Sequence, residues 1–154
     1  MKYNPSLSSA KEYSSAGTLE EWIHTYLRSD ANNTALSDGL KLFPRYFIGP
    51  IKMPLSLFIR CSGPEENMEY RVDPQYFEKH VEELEDAISK GSDIPPLIVH
   101  YLVNGGKSEF ELTDGNHRHE AYLRLGINEA HVIIWITEKS ELDRFQLEYS
   151  SYLN

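Results

Sequence analysis

Apolar residues recur along the chain with two different periods, and turn residues separate the runs. Leu19, Trp22, Ile23, Tyr26 and Leu27 stand three and four apart, a spacing that gathers apolar side chains on one helix face. Thr18, with Glu21 three residues on, has the form of a capping box, so a helix is predicted from Thr18 to near Ser29. Asp30 to Gly39 is expected to be loop or short helix, and Pro44, Gly49 and Pro50 punctuate the stretch after it. Leu55, Leu57 and Ile59 alternate with Ser56, Phe58 and Arg60 up to the turn residues Ser62, Gly63 and Pro64, which predicts the first strand. Asp73 and Pro74 read as an N-cap and first helical position, Phe77, Val81, Leu84 and Ile88 share one face, and Gly91 supplies the stop. Leu97 to Val103 is continuous enough in apolar residues for a buried strand, and Asn104, Gly105 and Gly106 turn it into Ser108 to Thr113, a hairpin. A short helix after Gly115, stopped by Gly126, then a strand from His131 to Ile136 and a helical spacing of Leu142, Phe145, Tyr149 and Tyr152 complete the chain.

The first 17 residues, rich in Ser, Tyr and Ala, hold no sustained period and are expected to be a flexible tail, leaving 18–154 as a single domain. With 154 residues, 40% of them hydrophobic and 12% aromatic, the chain can bury one core. No run approaches the roughly 18–20 apolar residues that cross a bilayer, and the first residues lack the apolar centre of a signal peptide, so no membrane association and a cytoplasmic location are expected. The single cysteine, Cys61, excludes an internal disulfide and any cysteine-only metal site. Charge is uneven: residues 1–64 hold 7 Lys/Arg against 5 Asp/Glu, and residues 65–154 hold 8 against 19. That acidic majority would repel a phosphate backbone, so DNA binding is disfavoured.

The segment with most chemistry is DGNHRHEAYLRLG, Asp114 to Gly126, where strand, glycine turn and helix start meet. Gly115 permits a positive-φ turn, and the first turn of the helix behind it exposes N–H groups carrying partial positive charge. Gly115, Asn116, His117 and Arg118 are therefore candidate phosphate ligands, Arg118 as a planar fork. Asp114 is a candidate for holding Arg118, orienting His117, binding Mg²⁺ or taking a proton, and Arg60, at the end of the first predicted strand, is a candidate second clamp. The same residue types also serve as turn formers and caps. His119 and Glu120 add ligand-type side chains, but residues two apart on a helix point in different directions, so no metal site is assigned. Trp22, Tyr26, Tyr46 and Phe47 either wall a base pocket or bury the first helix against the sheet.

The succession MPLSLFIR, DPQYFEKHVEELEDAISKG, PPLIVHYLV, ELTDGNHRHEAYLRLG and HVIIWI resembles the core of the ParB/sulfiredoxin superfamily over about residues 50–137. The resemblance implies an α/β (α+β) domain, a small mixed sheet flanked by helices, to which the N-terminal helix is added. In that superfamily the segment spelled G-E-R-R-x-R-A or G-C-H-R-x-E-A cradles nucleotide phosphates, and here it stands as Gly115 to Ala121, which implies His117 and Arg118 as phosphate ligands. Asn116 occupies the position of the sulfiredoxin nucleophilic cysteine, and an amide cannot attack a phosphoryl group, so sulfiredoxin chemistry is not expected. A related free-serine kinase spells the turn Asp-Gly-His-His-Arg and needs no protein nucleophile. The expected function is thus binding of ATP, ADP or CTP, with Mg²⁺ as an accompanying ion, and hydrolysis or phosphoryl transfer to a small-molecule acceptor, with Asp114 or Glu120 handling the metal or proton. The alternatives are a non-catalytic nucleotide-sensing or partner-binding module and an accessory of DNA partition or cleavage.

Overall fold

The computed structural model describes residues 1–153. Its order is α1 (Leu7–Ser15), α2 (Leu19–Ser29), α3 (Thr34–Leu40), β1 (Tyr46–Pro54), β2 (Ile59–Arg60), β3 (Ser62–Gly63), β4 (Tyr70–Arg71), α4 (Pro74–Ser89), β5 (Leu97–Asn104), β6 (Lys107–Asp114), α5 (Asn116–Arg124), β7 (Glu129–Ile136) and α6 (Lys139–Glu148). Five strands form one mixed sheet in the order β1-β7-β5-β6-β2, with β5 and β7 parallel at its centre and β1/β7 and β5/β6 antiparallel. β3 and β4 make a separate two-stranded pair.

Side chains alternate across each strand, so the central strands must feed two cores. On β7, Ala130, Val132, Ile134 and Ile136 join β5 residues Leu97, Val99 and Tyr101 beneath Leu142 and Phe145 of α6. Ile133 and Trp135 face the other way, with Ile98, against Trp22, Ile23, Tyr26 and Leu27 of α2. This double burial is why β7 reads as an unbroken apolar run. A third small cluster, Phe77, Val81 and Ala121, binds α4 to α5 and so fixes the position of the α5 N-terminus.

The helix predicted from Asp73 and Pro74 is α4, with the Asp73 carboxylate accepting from Tyr76 N at 3.0 Å. The hairpin is β5–β6, and Gly115 opens α5. Other elements differ from expectation. Within the expected tail, Leu7–Ser15 forms α1: Ser6 caps it by accepting from Ser9 N, Ala10 and Tyr13 are buried, and Ser14 Oγ donates to Gly49 O at 2.6 Å. With Ser9, Ala10 and Tyr13 as its buried residues, the helix lacks the apolar stripe that would have revealed it. The capping box at Thr18 is not formed; the Thr18 hydroxyl donates to Tyr13 O instead. The expected first strand shrinks to Ile59–Arg60 behind a 3₁₀ turn at Leu55–Leu57, and the long strand is β1, where a bulge between Ile48 and Ile51 takes up Gly49 and Pro50. Proline is tolerated there because β1 is an edge strand. Trp22, Tyr26 and Phe47 pack the α2 face of the sheet, whereas Tyr46 is exposed. No described helix is long and apolar enough to cross a membrane.

Candidate functional site

β6 ends at Asp114, and Gly115 turns the chain into α5 with φ +104°. A Cβ at residue 115 would lie 2.6 Å from Leu97 Cδ2 and 2.6 Å from Arg118 Nη2, so a side chain there would have to displace those two ends as well as hold a left-handed backbone. As the N-cap of a nine-residue helix, Gly115 brings no side chain to the first-turn N–H groups, which no other side chain caps. The positive end of α5 therefore opens toward a cleft of about 810 Å³ between α3 and the β6 side of the sheet, lined among others by Asn33, Arg45, Glu111, Thr113, Gly115 and His117. A second cleft of about 440 Å³, reaching His80 and Glu83 on α4, shares Asp114, Gly115 and His117 with it.

Asp114, Gly115, Asn116, His117 and Arg118 all line one or both of these clefts, and they differ in how far their side chains are already engaged within the protein. His117 stands at both clefts, its ring 4.9 Å from that of Phe77 and 5.3 Å from that of His80. Its Nε2 is buried without a partner; burial, then the proximity of His80 and Arg118, holds its pKa below the ordinary histidine value, so it is a neutral hydrogen-bonding group at neutral pH. Arg60 also packs on Phe77, its guanidinium carbon 5.3 Å from the ring, with Nη1 buried and unpartnered and Nη2 donating to Glu65.

Arg118 is not an open phosphate hand. Its side chain is 8% exposed; Nη2 donates to Asp114 Oδ2 at 3.2 Å and Pro96 O at 3.3 Å, and Nη1 donates to the Tyr26 hydroxyl. Asp114 in turn accepts from Asn33 Nδ2 at 3.0 Å, so the pair ties the turn to α2 and to the N-cap of α3. Of the roles open to Asp114, the structure realises the holding of Arg118. Burial raises the Tyr26 hydroxyl pKa in spite of Arg118, so Tyr26 acts as a neutral acceptor.

The Asn116 side chain is likewise spent: Oδ1 accepts from Cys61 N and Ser62 N, both at 3.2 Å, and Nδ2 donates to Leu112 O at 3.4 Å. Asn116 nevertheless lines the main cleft. Glu120 faces away from both clefts and accepts from Arg124 Nε at 2.8 Å, in a network with Glu78 of α4. Its expected proton or metal role has no geometric basis. His119 is interior, with Nε2 donating to Leu55 O at 3.1 Å. Cys61 donates to Leu112 O, and burial raises its thiol pKa, so it is no thiolate nucleophile.

Four of the five buried side-chain polar atoms without a partner among the described residues belong to Arg60, His117, Arg118 and His119. The described residues gather no set of three His, Cys, Asp or Glu suited to a metal ion. Sequence reasoning missed Glu111 and Thr113, which the period of two along β6 would have placed opposite Phe110 and Leu112. It also missed Tyr26 and Asn33 as partners of the turn, for which no local signal exists. Burial, then the nearby Glu69 and Glu109, raise the Glu111 pKa.

The chain is similar to several known proteins. Sulfiredoxin from Arabidopsis thaliana is 24% identical, with 67% of this chain and 98% of that chain covered and a TM-score of 0.42. A C-terminally truncated chromosome-partitioning protein ParB from Caulobacter crescentus, complexed with CTP-gamma-S, is 15% identical over 72% of this chain and 55% of that one, with a TM-score of 0.40. A conserved hypothetical protein from Pyrococcus furiosus is 18% identical over 56% of this chain, which spans only 32% of that longer one, with a TM-score of 0.41. No curated protein matches the chain. The sequence model of the ParB N-terminal domain matches residues 65–150, a span holding α4, the hairpin, the Gly115 turn, α5, β7 and α6. On that match, which covers more than half of its length, the chain belongs to the ParB N-terminal domain family.

Proposed function

We propose that this protein binds the phosphates of a nucleoside di- or triphosphate at the N-terminus of α5. The observation that carries the reading is the pairing of an uncapped helix N-terminus behind Gly115 with a buried, unpartnered ring nitrogen, Nε2 of His117, a residue that lines the same cleft. The backbone N–H groups of the first α5 turn supply donors, the helix dipole supplies partial charge, and His117 supplies a further neutral donor. Arg60, in an adjoining cleft that shares Cys61, Glu69 and Glu111 with this one, is the cation of the set. The family assignment agrees with a nucleotide ligand, and the CTP analogue held by the Caulobacter relative puts CTP among the nucleotides to be tried. Mg²⁺ would travel on the phosphates, since the described residues hold no carboxylate cluster to carry it.

Calorimetric titration with CTP, ATP and ADP, with and without Mg²⁺, tests this. We expect one of them to bind the wild type, and His117→Ala to weaken it about five- to tenfold, the worth of one neutral hydrogen bond. No heat at millimolar nucleotide, or unchanged affinity in the variant, refutes the reading.

One observation favours turnover as a second reading. Glu111 lines the cleft with its carboxyl made more basic by burial, which suits it to take the proton of an acceptor hydroxyl during phosphoryl transfer. Incubation with triphosphate labelled at the γ-phosphate or diphosphate labelled at the β-phosphate, together with hydroxyl-bearing small molecules, separates the two: label appearing in free phosphate or in acceptor marks an enzyme, and label remaining in nucleotide marks a binding module.

A further inference from the structure

Beyond Arg60 the chain enters the segment 61–71, which folds back as β3 and β4 and is pinned by Tyr70 N donating to Cys61 O at 2.9 Å and Val72 N donating to Gly63 O at 2.9 Å. Arg71 Nε closes the loop by donating to Pro64 O at 3.0 Å. Inside this loop Glu65 turns back, and its Oε1 accepts from Arg60 Nη2 at 2.5 Å. The two partners are unequally placed: the Arg60 side chain is 14% exposed and that of Glu65 is 42% exposed. The cation is thus part of the protein body, and the carboxylate reaches it from a solvent-facing loop. Arg60 is also under-satisfied, because Nη1 is buried with no partner. A guanidinium grips an oxyanion best with two parallel N–H groups, and here the carboxylate uses one.

The space around Arg60 is a separate cleft of about 400 Å³, lined by Arg60, Cys61, Met68, Glu69, Glu111 and His119. It meets the main cleft at Cys61, Glu69 and Glu111. Gly63 keeps the loop close: a Cβ there would stand 2.4 Å from Glu65 Oε2 and 3.2 Å from Arg60 Nη1.

We propose that Glu65 is an internal counter-anion that occupies the Arg60 seat in the unliganded protein, and that a phosphate group of the ligand displaces it. This rests on the nucleotide-binding reading and deepens it by naming the competitor at one of its ligands. Binding then exchanges one partner of Arg60 for another, the second N–H gains an acceptor, and Glu65 is freed from its tie to the body while Asn116 still holds Cys61 and Ser62. Glu65 lowers affinity by competing and by adding negative charge beside the incoming phosphate.

The test is a calorimetric cycle on the full chain with wild type, Glu65→Gln, Arg60→Ala and the double variant, titrated with the best nucleotide, with inorganic tripolyphosphate and with the parent nucleoside. Expected is a gain of about three- to tenfold in affinity for nucleotide and for tripolyphosphate in Glu65→Gln, no gain for the nucleoside, and no difference between Arg60→Ala and the double variant. Glu65→Asp, which keeps the charge on a shorter stem, should fall between wild type and Glu65→Gln, and covers the case in which the amide disturbs the loop. Unchanged or weaker nucleotide binding in both Glu65 variants, with the wild type binding, overturns the proposal and leaves nucleotide binding intact. A gain that persists without Arg60, or extends to the nucleoside, also overturns it. Absence of binding by both wild type and Glu65→Gln removes nucleotide binding itself, and the proposal with it.

Discussion

Replacing Arg118 by alanine separates the two places its guanidinium could serve. A solvent-facing phosphate hand could be removed with a change in stability within about 0.5 kcal/mol, as for most surface substitutions. The guanidinium is instead enclosed, 8% exposed, and holds Asp114, itself 12% exposed, together with Tyr26 and the Pro96 carbonyl. Removing one partner of such a pair leaves a buried carboxylate whose remaining side-chain partner is the Asn33 amide, and costs about 3–5 kcal/mol. Unfolding entropy of about 2.1 cal/mol/K per residue gives roughly 0.32 kcal/mol/K for a chain of 154 residues, so the melting temperature should fall by about 9–15 °C. Thermal melts followed by circular dichroism, without nucleotide, measure this directly. Asp114→Ala combined with Arg118→Ala should cost less than the sum of the single changes, because the stranded carboxylate is gone. A fall below about 3 °C for Arg118→Ala, with the native spectrum retained, would refute the clamp and return Arg118 to the ligand set.

Gly115 and the buried histidines give two further expected outcomes. Gly115→Ala forces a side chain into φ +104° and against Leu97 and Arg118, and should cost about 2–4 kcal/mol, read as a lowered urea midpoint with unchanged slope; a midpoint within error of wild type would contradict the contacts. His100 is stacked on Trp135 at 3.7 Å and burial lowers its pKa to about 4, while burial lowers His117 and His119 as well. A histidine with a depressed folded pKa contributes stability that is complete above its unfolded value, near 6.5, and is lost as pH falls toward the folded one. Urea unfolding should therefore show stability falling from pH 6.5 toward pH 5, and His100→Phe, which keeps the ring stack, should flatten that slope; an unaltered slope would show that His100 is not a source of it.

The legible parts of this protein are those whose causes lie within a few residues. Asp73, Pro74 and Gly91 bound α4 because a cap, a preset φ and a left-handed stop are local properties. The apolar continuity of β5, the period of two along β6 and the apolar run of β7 appear directly in which residues are apolar. Gly115 is legible as a turn for the same reason, and with it the open helix end that centres the site.

Helix α1 leaves no such trace, because its buried residues, Ser9, Ala10 and Tyr13, are too few to make an apolar stripe and Ser14 Oγ reaches Gly49, 35 positions along the chain. β1 is hidden by Gly49 and Pro50, whose effect depends on whether a strand lies at a sheet edge. By itself the sequence determined that a glycine turn leads from a strand into a helix with an uncapped first turn, since backbone conformation and helix polarity depend on neighbouring residues. Only the tertiary structure decided which of its charged side chains remain available. Arg118 meets Tyr26 across 92 positions, and Arg60 and His117 come to one ring, that of Phe77, because the sheet and α4 bring them there. A guanidinium is spelled the same whether it faces solvent or a buried carboxylate, and the difference is set by packing partners that no local pattern records.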